Sequence, residues 1–117
     1  MYPTDTAPFI VTITANGAGE QATVSVQGAL DDETARALET CLEPLHAFGC
    51  RRIVLDLAGV PFVDAAGLTL LFHTAKDAQF RGQEVVLRHA NHRLLRLLEI
   101  TRLALAFGIE RSFDQVA

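Results

Sequence analysis

Apolar and polar positions first alternate along this chain. The run PFIVTITA (8–15) carries β-branched residues at every second step and predicts a strand. NGAGE (16–20) is a glycine-bearing turn, and ATVSVQG (22–28) alternates again with Ala22, Val24 and Val26 on one face. These two runs predict an antiparallel hairpin. The period then changes. In ALDDETARALETCLEPLHAFG (29–49) the apolar residues Ala35, Leu38, Leu42 and Leu45 recur at three and four, which is one buried helical stripe. Asp31 or Asp32 caps it, Glu33 suits its positive end, and Gly49 stops it. Pro44 removes one backbone bond and predicts distortion of the last turn.

RRIVLDLAG (51–59) is nearly continuous apolar, as a strand covered on both faces would be. A helix follows from about Asp64 to Arg81, with Gly82 as its stop. Its core stripe is Leu68, Leu71, Phe72 and Ala75, and its outer stripe is Thr69, His73, Lys76 and Phe80. EVVLRH (84–89) predicts a strand, NHRLLRLLE (91–99) a short helix capped by Asn91, ALAFGIE (104–110) a last short strand, and RSFDQVA the start of a helix. Strands separated by helices pair in parallel. The order therefore predicts one α/β domain over 8–117 behind a loose tail at 1–7. Its mixed sheet is antiparallel at the hairpin and parallel elsewhere, with helices over the apolar side.

Composition narrows the function classes. The 117 residues fit one domain with a core large enough to need no staples. Net charge is −4, with scattered arginines, so no basic track invites nucleic acid. Cys41 and Cys50 are too few for a disulfide framework, and the four histidines lack zinc-ligand spacing. MYPTDTAPF has no signal-peptide pattern, and no apolar run is long enough to enter a membrane as a helix. A cytoplasmic, reduced protein is the expectation.

The informative stretch is VPFVDAAGLTLL (60–71). Asp64 stands at an N-cap, and Ala65, Ala66 and Gly67 are the first helical residues. Glycine there costs a helix about 1 kcal/mol relative to alanine. That cost has a reason if something approaches closely, either the fold itself or a partner. LDLAGVPFVDAAGLTLL resembles the signature of the STAS domain family, the anti-sigma factor antagonists, in which an apolar strand leads to D-S-[SA]-G-L at a helix start. GALDDETARAL (28–38) resembles that family's G-x-[LI]-D, and GQEVVLRHANHRLLRLLEIT (82–101) its fourth strand and following helix.

The resemblance implies a STAS-like mixed sheet and a protein that works by binding, with no catalytic residues, metal or cofactor. In the family a partner kinase, itself an anti-sigma factor, phosphorylates the first hydroxyl residue after the aspartate, and the phosphorylated antagonist lets go. Here that position is Ala65, followed by Ala66, and neither accepts phosphate. The implied partner surface is Asp31, Asp32, Asp64, Ala65, Ala66, Gly67, Leu68 and Thr69. The implied partner is an anti-sigma factor/serine kinase, with a homodimer also open. Thr69 lies one turn beyond Ala65 on the same helical face and reads as a surface threonine, with a relocated phosphosite as the other reading. A bulky residue at Gly67 is expected to abolish partner binding and leave the fold intact. Where the family often has glycine this chain has Arg102, which predicts a differently turned loop. Rival readings are the STAS subunit of an ABC-type lipid transporter, docking on its ATPase, and a stressosome-like scaffold module.

Other residues carry weaker chemistry. Asp31, Asp56 and Asp64 form a conceivable carboxylate group, but no nucleophile, histidine or phosphate-cradling loop accompanies them. His89 and His92 flank Asn91 without further ligands.

Overall fold

The computed structural model describes residues 8–16 and 19–110. The hairpin is β1 (Ile10–Asn16) and β2 (Gln21–Gln27), followed by α1 (Asp32–Ala47), β3 (Arg52–Gly59), α2 (Ala65–Phe80), β4 (Glu84–Arg88), α3 (His92–Ile100), a 3₁₀ turn at Ala104–Ala106 and β5 (Gly108–Glu110). Among the described residues the sheet has five strands in the order β1-β2-β3-β4-β5. β1 pairs antiparallel with β2, and every later neighbour is parallel. The mixed sheet expected from the pattern is therefore present.

One face of the sheet meets the helices. Val24, Val26, Ile53, Leu55 and Leu87 from the strands close on Leu38, Leu42, Leu71, Ala75 and Leu98 from the helices. Fully burying such a side chain stabilises by about 1.5–3 kcal/mol, so this one cluster supplies most of the driving force. The other face differs from the expectation that β3 is covered on both sides. Val54 is buried there beside Val86, outside the helix-side cluster. The rows on either side of that pair are Arg52–Glu84 and Asp56–Arg88. Arg52 and Glu84 lie 3.8 Å apart, and His89 Nδ1 is 3.1 Å from Asp56 Oδ1. Arg88 grips Glu110 with two nitrogens, at 2.6 and 3.1 Å. A central position closed over by its strand neighbours looks as apolar in sequence as one under a helix.

Local signals set most element ends. Asp31, Asp64 and Asn91 each accept from a first-turn amide as N-caps. α1 runs unbroken through Pro44, which lies on the exposed side of the helix, so the missing N–H does not end it. α2 buries Leu70, Thr74 and Ala78 as well as Leu71 and Ala75, while Leu68 and Phe72 are only partly buried. Its inward face is thus rotated from the predicted stripe. The last strand is shorter than predicted, because 104–106 form the 3₁₀ turn instead. The predicted helix start RSFDQVA lies outside the described residues, as does part of the NGAGE turn. Arg102 has φ 62, the left-handed conformation that a glycine would hold.

Candidate functional site

Two strand-to-helix junctions are stitched side by side. Leu30 and Val63 form an isolated parallel bridge just before α1 and α2. Leu30 N–H donates to the Phe62 carbonyl at 2.8 Å, and Asp64 N–H donates to the Leu30 carbonyl at 3.1 Å. The starts of α1 and α2 are therefore held as neighbours. This brings the loop of Asp31 and Asp32 beside Asp64 and Ala66 at the start of α2.

Each aspartate has a local task. The Asp31 carboxylate accepts from the amides of Glu33 and Thr34 at 3.1 and 3.0 Å. Asp31 N–H donates back to Thr34 Oγ1 at 2.8 Å, closing a capping box with threonine in place of the usual glutamate. Asp64 Oδ1 accepts from Gly67 N–H at 2.9 Å. Asp32, Ala65 and Thr69 are exposed, Ala66 and Leu68 partly so. The Thr69 hydroxyl donates to the Ala65 carbonyl at 2.8 Å. Asp56 stands on the opposite sheet face with Ala58 and His89, away from this site. Among the described residues no histidine, cysteine or carboxylate group has the geometry to hold a metal ion.

Gly67 is buried, and this corrects its place on the predicted surface. A Cβ there would collide with the Leu30 carbonyl oxygen and press on Leu30 Cγ and Val63 Cγ1, both at 3.0 Å. Its small size therefore serves the junction between the two helix starts.

The sequence reading missed an apolar neighbour of the site. A groove of about 370 Å³ lies between the loop before Asp64 and α3, with Phe62 and Leu97 in its lining. Phe62 is 49% exposed and Ile100, at its other end, 70%. Isolated aromatic residues give no such signal in sequence, because the groove forms only when α3 packs back against the loop.

The Asp31 carboxyl is held below its ordinary value, first by the Thr34 amide and then by the Thr34 hydroxyl. Glu110 is lowered likewise by its hydrogen bonds from Arg88. A folded-state value below the unfolded one stabilises the fold above the unfolded pKa of about 4, and the gain is lost as pH falls through the lower folded value. The melting temperature is therefore expected to fall on acidification from about pH 4 downward, and Asp31→Asn to flatten part of that slope. Thermal unfolding between about pH 6 and about pH 2 checks this. An unchanged slope in the variant would remove Asp31 as a cause.

Comparison with known proteins agrees with this build. The family model described as "Mlab, STAS domain" matches residues 13–105. The anti-sigma-B factor antagonist of Staphylococcus aureus is 36% identical over 80 residues, covering 68% of this chain and 74% of that protein. An anti-sigma factor antagonist from Mycobacterium paratuberculosis superposes with a TM-score of 0.72 at 29% identity, covering 94% of this chain and 93% of that one. The antagonist SpoIIAA in its unphosphorylated form shares the fold, with a TM-score of 0.69 at 11% identity over 92% of both chains. The sheet order, the paired helix starts and these matches together place the chain in the STAS domain family, among the anti-sigma factor antagonists.

Proposed function

We propose that this chain is an antagonist-type regulator that binds an anti-sigma factor/serine kinase through the adjoining starts of α1 and α2, and that it has no phosphate switch at that surface. The observation that carries this is Ala65. It is exposed at the first position of α2, directly after the capping aspartate, and presents a methyl group where a phosphoacceptor hydroxyl would stand. The contact surface combines Asp32, Ala65, Ala66 and Thr69, shaped from behind by Gly67 and by the capping carboxylates of Asp31 and Asp64. Phe62 and Ile100 supply an apolar anchor beside it. The chain acts by binding, and its kinase partner carries the ATP.

Affinity capture from native cells, with partners identified by mass spectrometry, tests this reading. A small histidine-kinase-like ATPase is the expected partner, and incubation with it and ATP is expected to leave residues 65 and 66 unmodified. Phosphate mapped to Thr69 would overturn the constitutive reading. The same alanine pair also suits a second reading, a STAS subunit docked permanently on the ATPase of an ABC-type lipid transporter. Capture of a transporter ATPase with its permease would decide for it.

A further inference from the structure

Along the seam between α1 and α2, two grooves share Glu39 and His73 and so run into one another. The upper one begins at Asp32, Ala66 and Thr69, at the helix starts. The lower one, about 560 Å³, is walled by Glu39, Glu43 and His46 of α1 and by His73, Asp77 and Arg81 of α2. Its floor includes Leu42 and Thr74.

Three observations say what the lower groove accepts. The first is the state of His46. Gln83 is buried at 6% exposure, and its Nε2 donates to the His46 carbonyl at 3.2 Å and the Leu45 carbonyl at 3.5 Å. Its Oε1 therefore faces His46 Nδ1, 2.9 Å away, and an amide oxygen only accepts. The proton sits on Nδ1, so the neutral ring offers Nε2 as an acceptor. The second is Thr74, also 6% exposed. Thr40, Thr69 and Thr101 donate their hydroxyls to carbonyls four residues back, whereas Thr74 makes no such bond among the described residues. No side-chain oxygen among those residues is both sealed from solvent and unpaired, so the Thr74 hydroxyl opens to the groove it lines. The third is charge. Arg81 is engaged by Asp77 at 3.2 Å, while Glu39 and Glu43 stand one turn apart on α1 without an ion-pair partner among the described residues. Like charges at this spacing repel one another modestly, and a cation between them would turn that into attraction.

We propose that this seam holds a basic helical segment of a protein partner, with an arginine or lysine side chain reaching between Glu39 and Glu43 toward Thr74 and His46. A donor-rich cation satisfies the carboxylates of Glu39 and Glu43, the Thr74 hydroxyl and His46 Nε2, while Arg81 in the same wall is already engaged by Asp77 and Arg36 lines only the upper groove. The two grooves together follow both helices for several turns, which suits the length of a helix, and Leu42 and Ala47 give the lower one an apolar contact beside Thr74. The net charge of −4 steers a basic segment toward it. The site adds to the surface at the helix starts and does not depend on the partner being a kinase.

The test titrates the isotope-labelled full chain with a helical peptide of about 18 residues, leucines along one face and arginines flanking them, against the same peptide with glutamates for arginines. Amide shifts are expected along residues 35–47 and 69–81 with the basic peptide only, weakening as salt rises. The exposed double variant Glu39→Lys/Glu43→Lys is expected to bind at least about tenfold more weakly, and Thr74→Val, which keeps the shape of the floor, a few-fold more weakly. Equal binding of the acidic peptide, shifts centred on Phe62 and Ile100, or unchanged affinity in the charge-reversed variant would each overturn the proposal. Concentration-dependent broadening of the seam without peptide would also overturn it, placing a second copy of the chain there.

Discussion

Gly67→Ala is expected to lower the melting temperature by roughly 10 °C, although alanine is the better helix former. The new methyl group would meet the Leu30 carbonyl oxygen, which is backbone and cannot rotate away. That oxygen already accepts from Asp64 N–H, so moving it opens the bridge that pairs the two helix starts. Leu30 is itself fully buried, which removes the room to retreat. Overpacking of this kind costs about 3 kcal/mol or somewhat more, and the gain in helix propensity returns about 1. The net loss of about 2–3 kcal/mol, at roughly 4 °C per kcal/mol for a domain of this size, gives the shift. Gly67→Leu is expected to prevent folding. Thermal and urea unfolding measure both. A Gly67→Ala protein with unchanged melting that has nevertheless lost its partner would make the glycine a contact residue, as the sequence first suggested.

That reversal shows where sequence reading stops. Asp31, Asp64 and Asn91 were legible as caps because a cap is a short-range device, one side chain on an amide two or three residues ahead. The small residues after Asp64, Ala65 to Gly67, were legible because they sit inside a local motif. Gly67 is different: its reason is the carbonyl of Leu30, on another strand-to-helix junction far back in the chain. Gln83 shows the same limit. It reads as a polar loop residue, yet it is buried and ties down the end of α1 through contacts 37 and 38 residues away. The inward face of α2 was misjudged because this helix packs on α1 as well as on the sheet, so its apolar arc is wider than one stripe. His89 and Arg102, at φ 58 and 62, bracket α3 in the left-handed conformation, which a non-glycine residue seldom announces in sequence, arginine least of the two.

Ala65→Ser is expected to install a phosphate switch, leaving the unmodified variant within about twofold of the parent in partner affinity and costing about two orders of magnitude once phosphorylated, or about 2.7 kcal/mol. Serine is well tolerated at an exposed first-turn position, so the fold should be unaffected. A phosphate there would meet the first-turn amides and the positive end of α2, which hold an anion without unwinding the helix. The damage falls on the surface. The group adds about −1.5 to −2 charge directly after Asp64 and across the junction from Asp31 and Asp32. A partner shaped to the bare alanine must then desolvate that charge against neighbouring carboxylates, and no cationic side chain of α2's first turn stands by to offset it. The measurement pairs mass spectrometry of the variant, after incubation with the captured kinase and ATP, with its affinity before and after. If the variant is phosphorylated and still binds as tightly as the parent, the start of α2 is not the interface and Ala65 locks nothing. If phosphorylation releases it while the parent stays bound, a single missing hydroxyl accounts for a partner that is never let go.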